Sequence, residues 1–337
     1  MSKIASNYYL LKQRLLNTHV TSFFLCMLFP VLLFAQNNKD IDREIIEMMN
    51  NINLKPTAIS FKSTIPVNNN GGHIQGIQYL QYQNQDYYFL SGSSDSYSYY
   101  SIVATKKNNA VISVNKILDN PYRHAGGFQI SKGLMAIGIE DNYLKDKSMV
   151  YIYEINNPNK PPSKPLHIIQ RRGITKRVTA GCVGIIEIEN HILVVVGNWD
   201  TKYLDFYRLH KDKLHTKNEQ FTWITTIELA TTDRSQWLDT AWLSYQNINL
   251  IADASGTIYL AGMATKKGAG NFLDMYRLTP KGTNDFQLTK IHSRTFLESE
   301  TSKFEWGAGI YSHKNQQLKV FSTGDHFTPT ATLLRFE

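Results

Sequence analysis

Two imidazoles stand at matching places in this chain. His73 opens HIQGIQYL and His124 opens HAGGFQI, and in each segment a glycine and a large apolar residue follow within a few positions. Two histidines brought together with an acid can pass a proton to and from a bound molecule, or hold a divalent metal. The candidate acids are Asp141 and Asp325, which close the apolar runs GLMAIGIED and QLKVFSTGDH. Paired carboxylates, one protonated and one ionised, are what glycoside hydrolysis requires. Asp is equally a turn former whose side chain bonds its own backbone, and a histidine at a repeated position serves as well to tie one loop to the next. The catalytic candidates are therefore His73, His124, Asp141 and Asp325, with these plainer roles left open. No set of metal ligands is assigned and no cofactor is expected, although a divalent metal is compatible with the residue types.

A wider polar group accompanies them. Gln75, Arg123, Gln246, Trp199, Asp200, Trp306 and His326 join His73, His124 and Asp141 as expected ligand-binding residues. Amides and imidazoles can both donate and accept hydrogen bonds, and an indole offers a flat face to a sugar, though it packs as readily between sheets. No HExxH, GxSxG, CxxC or calcium-binding loop is present. KKGAG at Lys266–Gly270 lacks the spacing and the following helix of a phosphate-binding loop.

The elements that must position these residues are repeats. Gly76-Ile77, Gly127-Phe128, Gly184-Ile185, Asn247-Ile248 and Gly309-Ile310 lie 51, 57, 63 and 62 residues apart. Behind each comes a second apolar strand and then a third, such as YLDFYRLH at 203–210 and FLDMYRLT at 272–279. A fourth follows in all but the last, where the chain ends; an unassigned strand, AISFKSTI at 58–65, precedes the first. Repetition at such a period signals an array of like units. If the units close in a ring, the strand near 60 completes the last one and no sheet edge is left open between the chain ends. The expected fold is all-β: a five-bladed β-propeller over 57–337, closed by an N-terminal strand, with one short helix in a 37–56 linker. Asp205 and Asp274, inside third strands, read as charges bridging blades or lying at a strand edge. The cluster Arg171, Arg172, Lys176 and Arg177 reads as a solvated loop.

This pattern resembles the five-bladed propellers of secreted bacterial proteins. The likeness is architectural: the three spaced acids of five-bladed arabinanases and levansucrases cannot be placed, so no catalytic residue carries over. In a propeller the loop into each first strand and the loop out of each second strand meet at one mouth of the central channel, where function concentrates. All the residues nominated above belong to those loops.

Residues 1–36 are basic at Lys3, Lys12 and Arg14, then apolar over VTSFFLCMLFPVLLFA, and read as a signal peptide. The apolar stretch is too short to favour a lasting membrane span. Removing it lowers the net charge from +8 to +5 and leaves Cys182 as the lone cysteine, so no internal disulfide forms. Cys182 lies in an apolar strand and reads as an inert buried thiol. The remaining basic residues are scattered, which argues against nucleic acid as a partner. The expectation is a secreted or periplasmic propeller that binds a small molecule, glycan or protein at its polar mouth. The alternative is a hydrolase of a glycan or phosphoester using the His and Asp residues there.

Overall fold

The computed structural model describes residues 41–67, 72–313, 317–326 and 329–337. The chain separates into a unit ending at Ile45 and one running from Ile46 to Glu337. The segment read as a signal peptide lies outside the described residues. Helix α1 (Arg43–Asn51) falls within the 37–56 stretch expected to hold one short helix, and Met48, Met49 and Ile52 are buried. Among the described residues no helix is long and apolar enough to cross a membrane.

From Thr57 onward the chain is a five-bladed β-propeller. Strand β1 (Thr57–Lys62) comes first. Blade 1 is β2 (His73–Tyr82), β3 (Gln85–Ser93), β4 (Tyr97–Ala104) and β5 (Ala110–Asp119). Blade 2 is β6 (His124–Ser131), β7 (Leu134–Glu140), β8 (Lys147–Glu154) and β9 (His167–Arg172). Blade 3 is β10 (Cys182–Ile188), β11 (His191–Gly197), β12 (Tyr203–His210) and β13 (Thr222–Glu228). Blade 4 is β14 (Asn247–Ala252), β15 (Ile258–Lys266), β16 (Gly270–Lys281) and β17 (Asp285–Phe296). Blade 5 is β18 (Lys303–His313), β19 (Gln317–Thr323) and β20 (Thr330–Phe336), completed by β1.

Ring closure is direct. Strand β1 pairs antiparallel with β20 in an unbroken register from Thr57 opposite Arg335 to Lys62 opposite Thr330. It also bridges to Ala110 of blade 1. The core lies between blades rather than inside one. Phe89, Ile102, Phe128, Met135 and Ile137 fill the seam of blades 1 and 2, and Leu193, Val195, Leu250 and Leu260 that of blades 3 and 4. Because each blade is covered on both faces, its middle strands are apolar without alternation: every residue of β7 is buried.

The axis is closed by amides. Gln78 donates from Nε2 to Asn249 Oδ1 (3.1 Å) and accepts from Ile130 N (3.3 Å). Gln129 Oε1 accepts from Ile185 N (2.9 Å) and Leu250 N (2.7 Å), and Asn249 Oδ1 accepts from Ile310 N (3.0 Å). One buried set thus ties β2, β6, β10, β14 and β18 together. Inner strands of different blades share almost no ladder, so their axis-facing backbone groups need side-chain partners. An amide supplies donor and acceptor at once. The five aligned positions do gather here: a side chain at Gly309 would strike Ile77 O, and one at Gly76 or Gly127 would meet Asn247 Oδ1.

The charges inside third strands have specific partners. Asp205 on β12 accepts from Arg171 of β9, from both terminal nitrogens of Arg177 (2.7 Å each) and from Thr226 Oγ1 (2.6 Å). It is a blade 2 to blade 3 bridge. The reading of 171–177 as a solvated loop is corrected for Arg171, a buried strand residue held by this carboxylate, and for Arg177, which bonds it too, while Arg172 and Lys176 are exposed. Asp274 instead pairs within its own blade, with Lys290 (3.1 Å) and Tyr245 Oη (2.5 Å).

Candidate functional site

Bulges set the mouth. Register slips by one residue at Gln75 in β2 and again between Ala125 and Phe128 in β6, one or two residues beyond the histidine that begins each strand. Such insertions re-aim side chains where a strand meets a functional loop. Here they turn Gln75 inward beside its neighbour His73.

His73, Gln75, Ser93, His124, Asn142, Gly181, Trp199, Tyr245, Gln246 and Glu305 line a cavity of about 360 Å³ at this end of the channel. The amide cluster on the axis lies farther along the same inner strands, so the cavity is blind. A larger cleft, about 660 Å³, lies between β9 and the 214–220 loop. Its buried His167 is already bonded through Nε2 to Leu214 O (2.6 Å), and its His215 and Lys217 stand exposed on the loop.

On one wall His73 Nε2 lies 2.9 Å from Asp325 Oδ1. Its Nδ1 lies 2.7 Å from Gln75 Nε2 and 2.8 Å from Ile74 O. Burial pulls the pKa of His73 below its ordinary value even though Asp325 and the Ile74 carbonyl pull it up, so the ring is neutral at pH 7. Gln75 Oε1 in turn accepts from Gln246 Nε2 (2.5 Å). Gln246, Gln75, His73 and Asp325 thus form one contiguous polar row along this wall. His326 contacts the other oxygen of Asp325 (3.3 Å) and meets the His73 ring edge-on at 5.8 Å.

On the opposite side His124 and Glu140 are cross-strand partners at the start of β6 and the end of β7. His124 Nδ1 lies 3.0 Å from Glu140 Oε1, and Glu140 Oε2 accepts from Ala180 N (2.9 Å). The His124 ring leans on Trp199 (5.4 Å between centroids), and Lys145 Nζ sits 4.0 Å from the indole centre.

The structure brings together His73, Gln75, His124, Trp199 and Gln246 as lining residues, with Asp325 and His326 directly behind His73. It does not bring the other nominees to the cavity. Asp141 is buried and takes the Tyr143 (2.8 Å) and Leu144 (3.2 Å) backbone N–H groups, the plain turn role. Asp200 pairs with Lys202 (2.7 Å) and Asn198 (2.9 Å). Arg123 reaches the Asp95 carbonyl (3.5 Å), and Trp306 lies under Lys303 (5.0 Å) outside the lining. Among the described residues no three His, Cys, Asp or Glu side chains form a group able to hold a metal ion. Ser93, Asn142, Gly181, Tyr245 and Glu305 of the lining, and Glu140 beside His124, were not nominated. The signal for Glu140 was available, since the last residue of a second strand faces the first residue of the strand before it.

No protein-family model matches the chain, and no curated protein matches it in sequence. Among solved structures it is similar to the α-L-arabinofuranosidase PaAbf62A of Podospora anserina in complex with cellotriose, with 9% identity, 83% of this chain and 97% of that one covered, and a TM-score of 0.46. It is also similar to an RS223 β-xylosidase, with 11% identity, coverage of 83% and 94%, and a TM-score of 0.48. A third is the GH43_1 enzyme of Xanthomonas citri complexed with xylose, with 11% identity, coverage of 79% and 87%, and a TM-score of 0.46. These likenesses are of architecture alone.

Proposed function

We propose that the mouth binds a neutral polyhydroxylated ligand of the saccharide class. The observation that carries this reading is the convergence of His73, Gln75, His124 and Gln246 on one blind cavity. Imidazoles and primary amides match hydroxyl groups, which both donate and accept. A cavity of about 360 Å³ falls in the range that encloses a small ligand. No lysine or arginine is among the lining residues, which favours a neutral ligand over an anion that needs charged donors. The indole of Trp199 already carries Lys145, so hydrogen bonding rather than stacking leads recognition.

A second reading is hydrolysis of a glycan at the same place. It is favoured by the two imidazole–carboxylate pairs, His73–Asp325 and His124–Glu140, which suit proton transfer. Both readings belong to an exported protein, on the strength of residues 1–36 alone, and cell fractionation checks that placement.

The test is a thermal-shift and calorimetric panel of mono- and oligosaccharides, with inorganic phosphate as the anionic control. It is run on the wild type and on His73→Ala/His124→Ala. A saccharide-dependent shift that the variant loses supports the proposal, and release of reducing ends during the titration selects the hydrolase reading. Stabilisation by phosphate alone, or a saccharide shift unchanged in the variant, overturns it.

A further inference from the structure

The large apolar side chains that the blades leave exposed are not spread evenly. Among the described residues all but Trp223 lie in loops at the mouth end, between second and third strands or between one blade and the next. Three of them share one place. Tyr143 and Leu144 follow β7 and Ile174 follows β9, and they are 82%, 59% and 77% exposed. Their loops run side by side: Gly173 N donates to Asp146 O (3.1 Å) and Lys176 N to Lys145 O (2.7 Å). The Asp141 carboxylate holds the first tip through the Tyr143 and Leu144 N–H groups. The apolar side chains are thus presented outward by braced backbone.

Cations surround the tips. Residues 172–178 include Arg172, Lys176 and Arg177 and no acid, and residues 141–147 add Lys145 and Lys147 against Asp141 and Asp146. Arg177 is engaged by Asp205, Lys147 by Asp141 (3.4 Å), and Lys145 rests on Trp199. Arg172 and Lys176 stand exposed, with no ion pair among the described residues. Lys145 and Lys176 also take positive φ, 58° and 65°, a backbone conformation that disfavours residues with a β-carbon.

We propose that these two loops dock the protein on an anionic lipid bilayer, with Tyr143, Leu144 and Ile174 entering the boundary of headgroups and acyl chains and Arg172 and Lys176 meeting the lipid phosphates. Apolar burial and attraction to anionic headgroups add in this way at a membrane surface. A protein partner anchors through side chains seated in well-packed pockets, whereas a bilayer takes exposed tips without a matching shape. The two cations with no counter-charge select the anionic surface. Because both tips belong to the mouth end, docking turns the open cavity toward the lipid. The proposal does not depend on what that cavity binds.

The test reads the tip locally. In full-length Cys26→Ser protein an environment-sensitive NBD dye is attached at Ile174→Cys, or at Thr283→Cys in the loop between β16 and β17 at the opposite end of the blades; the remaining Cys182 is buried. Ile174, Thr283, Arg172 and Lys176 are all exposed, so the variants keep the fold. The probes are vesicles of phosphatidylcholine, alone or with about 30% phosphatidylglycerol, at low and high salt. The dye at position 174 should shift to the blue on anionic vesicles at low salt, and the dye at 283 should not. High salt should reverse the shift as screening shortens. Arg172→Gln/Lys176→Gln should weaken the lipid partition about 30-fold, from roughly a factor of five for each cation near the surface. No shift on anionic vesicles, an equal shift at 283, an equal shift on neutral vesicles, or a partition unchanged in the double variant overturns the proposal. A shift with soluble poly-glutamate and none with vesicles overturns it too and assigns the loops to an acidic protein. Any pull from residues 1–36 acts on both dye positions and both lipids alike, so it cannot imitate the expected result.

Discussion

Asp205→Ala should be among the most damaging single changes outside the mouth. The carboxylate is buried and accepts from Arg171, Arg177 and Thr226. Removing it leaves the Arg171 guanidinium, with a side chain only 3% exposed, without its counter-charge and still bonded to the Thr179 carbonyl. Breaking a buried pair by deleting one partner costs about 3–5 kcal/mol, chiefly because the other charge stays buried. For a folding unit of this size each kcal/mol moves the melting point by about 2 °C, which puts the loss at roughly 6–10 °C. Arg177 is more exposed at 25%, so Arg177→Ala should cost far less. Urea unfolding followed by tryptophan fluorescence gives the free energies, and calorimetry the melting points. Asp205→Leu/Arg171→Met should recover most of the loss, since well-packed apolar pairs often replace buried ion pairs without penalty. Burial alone would raise the pKa of Asp205, but the bonds from Arg177 and Thr226 and the charge of Arg171 hold it below the ordinary carboxylate value. Its contribution is therefore full above about pH 4, the unfolded value, and is lost as pH falls through the depressed folded one. A loss under about 1 kcal/mol in Asp205→Ala, or equal losses in Asp205→Ala and Arg177→Ala, would refute a bridge whose weight comes from burial.

Two further outcomes follow from the same structure. His73 has its pKa lowered, chiefly by burial, so the unfolded chain binds more protons and stability should fall as pH drops below about 6.5 toward the folded value; urea midpoints at pH 7.5 and 5.0 should differ less in His73→Gln than in the wild type, and an equal difference would count against the neutral ring. Cys182 is wholly buried with its thiol pKa pushed up by desolvation, so in a Cys26→Ser chain no thiol should react with Ellman's reagent until the protein unfolds, and prompt labelling of the native protein would contradict the packing around β10.

The strands, their order and the ring closure were legible because each depends on local information. Apolar runs such as Leu193–Val196 and turn clusters between them mark strands wherever they occur, and the spacing of the Gly-Ile pairs counts the blades. The cross-axis amides left a trace as well: Gln78, Gln129 and Asn249 each follow an aligned pair by one residue. Their task was not legible, because their partners lie up to 171 residues away.

The candidate site divides along the same line. Residue type and repeat position alone placed His73, His124, Gln75 and Gln246 at one mouth, since a propeller brings equivalent positions of successive units to one end of its axis. Which of them face the cavity was decided by bulges in β2 and β6, which a linear pattern does not reveal. Asp141 could not be told from Asp325 in the sequence, as both end second strands. In the folded chain one caps its own turn while the other meets an imidazole from the neighbouring blade. The pairing of imidazole with carboxylate depends still more on tertiary contacts. The approach of His124 to Glu140, whose other oxygen takes the Ala180 N–H, joins three segments that only the packed blades bring together.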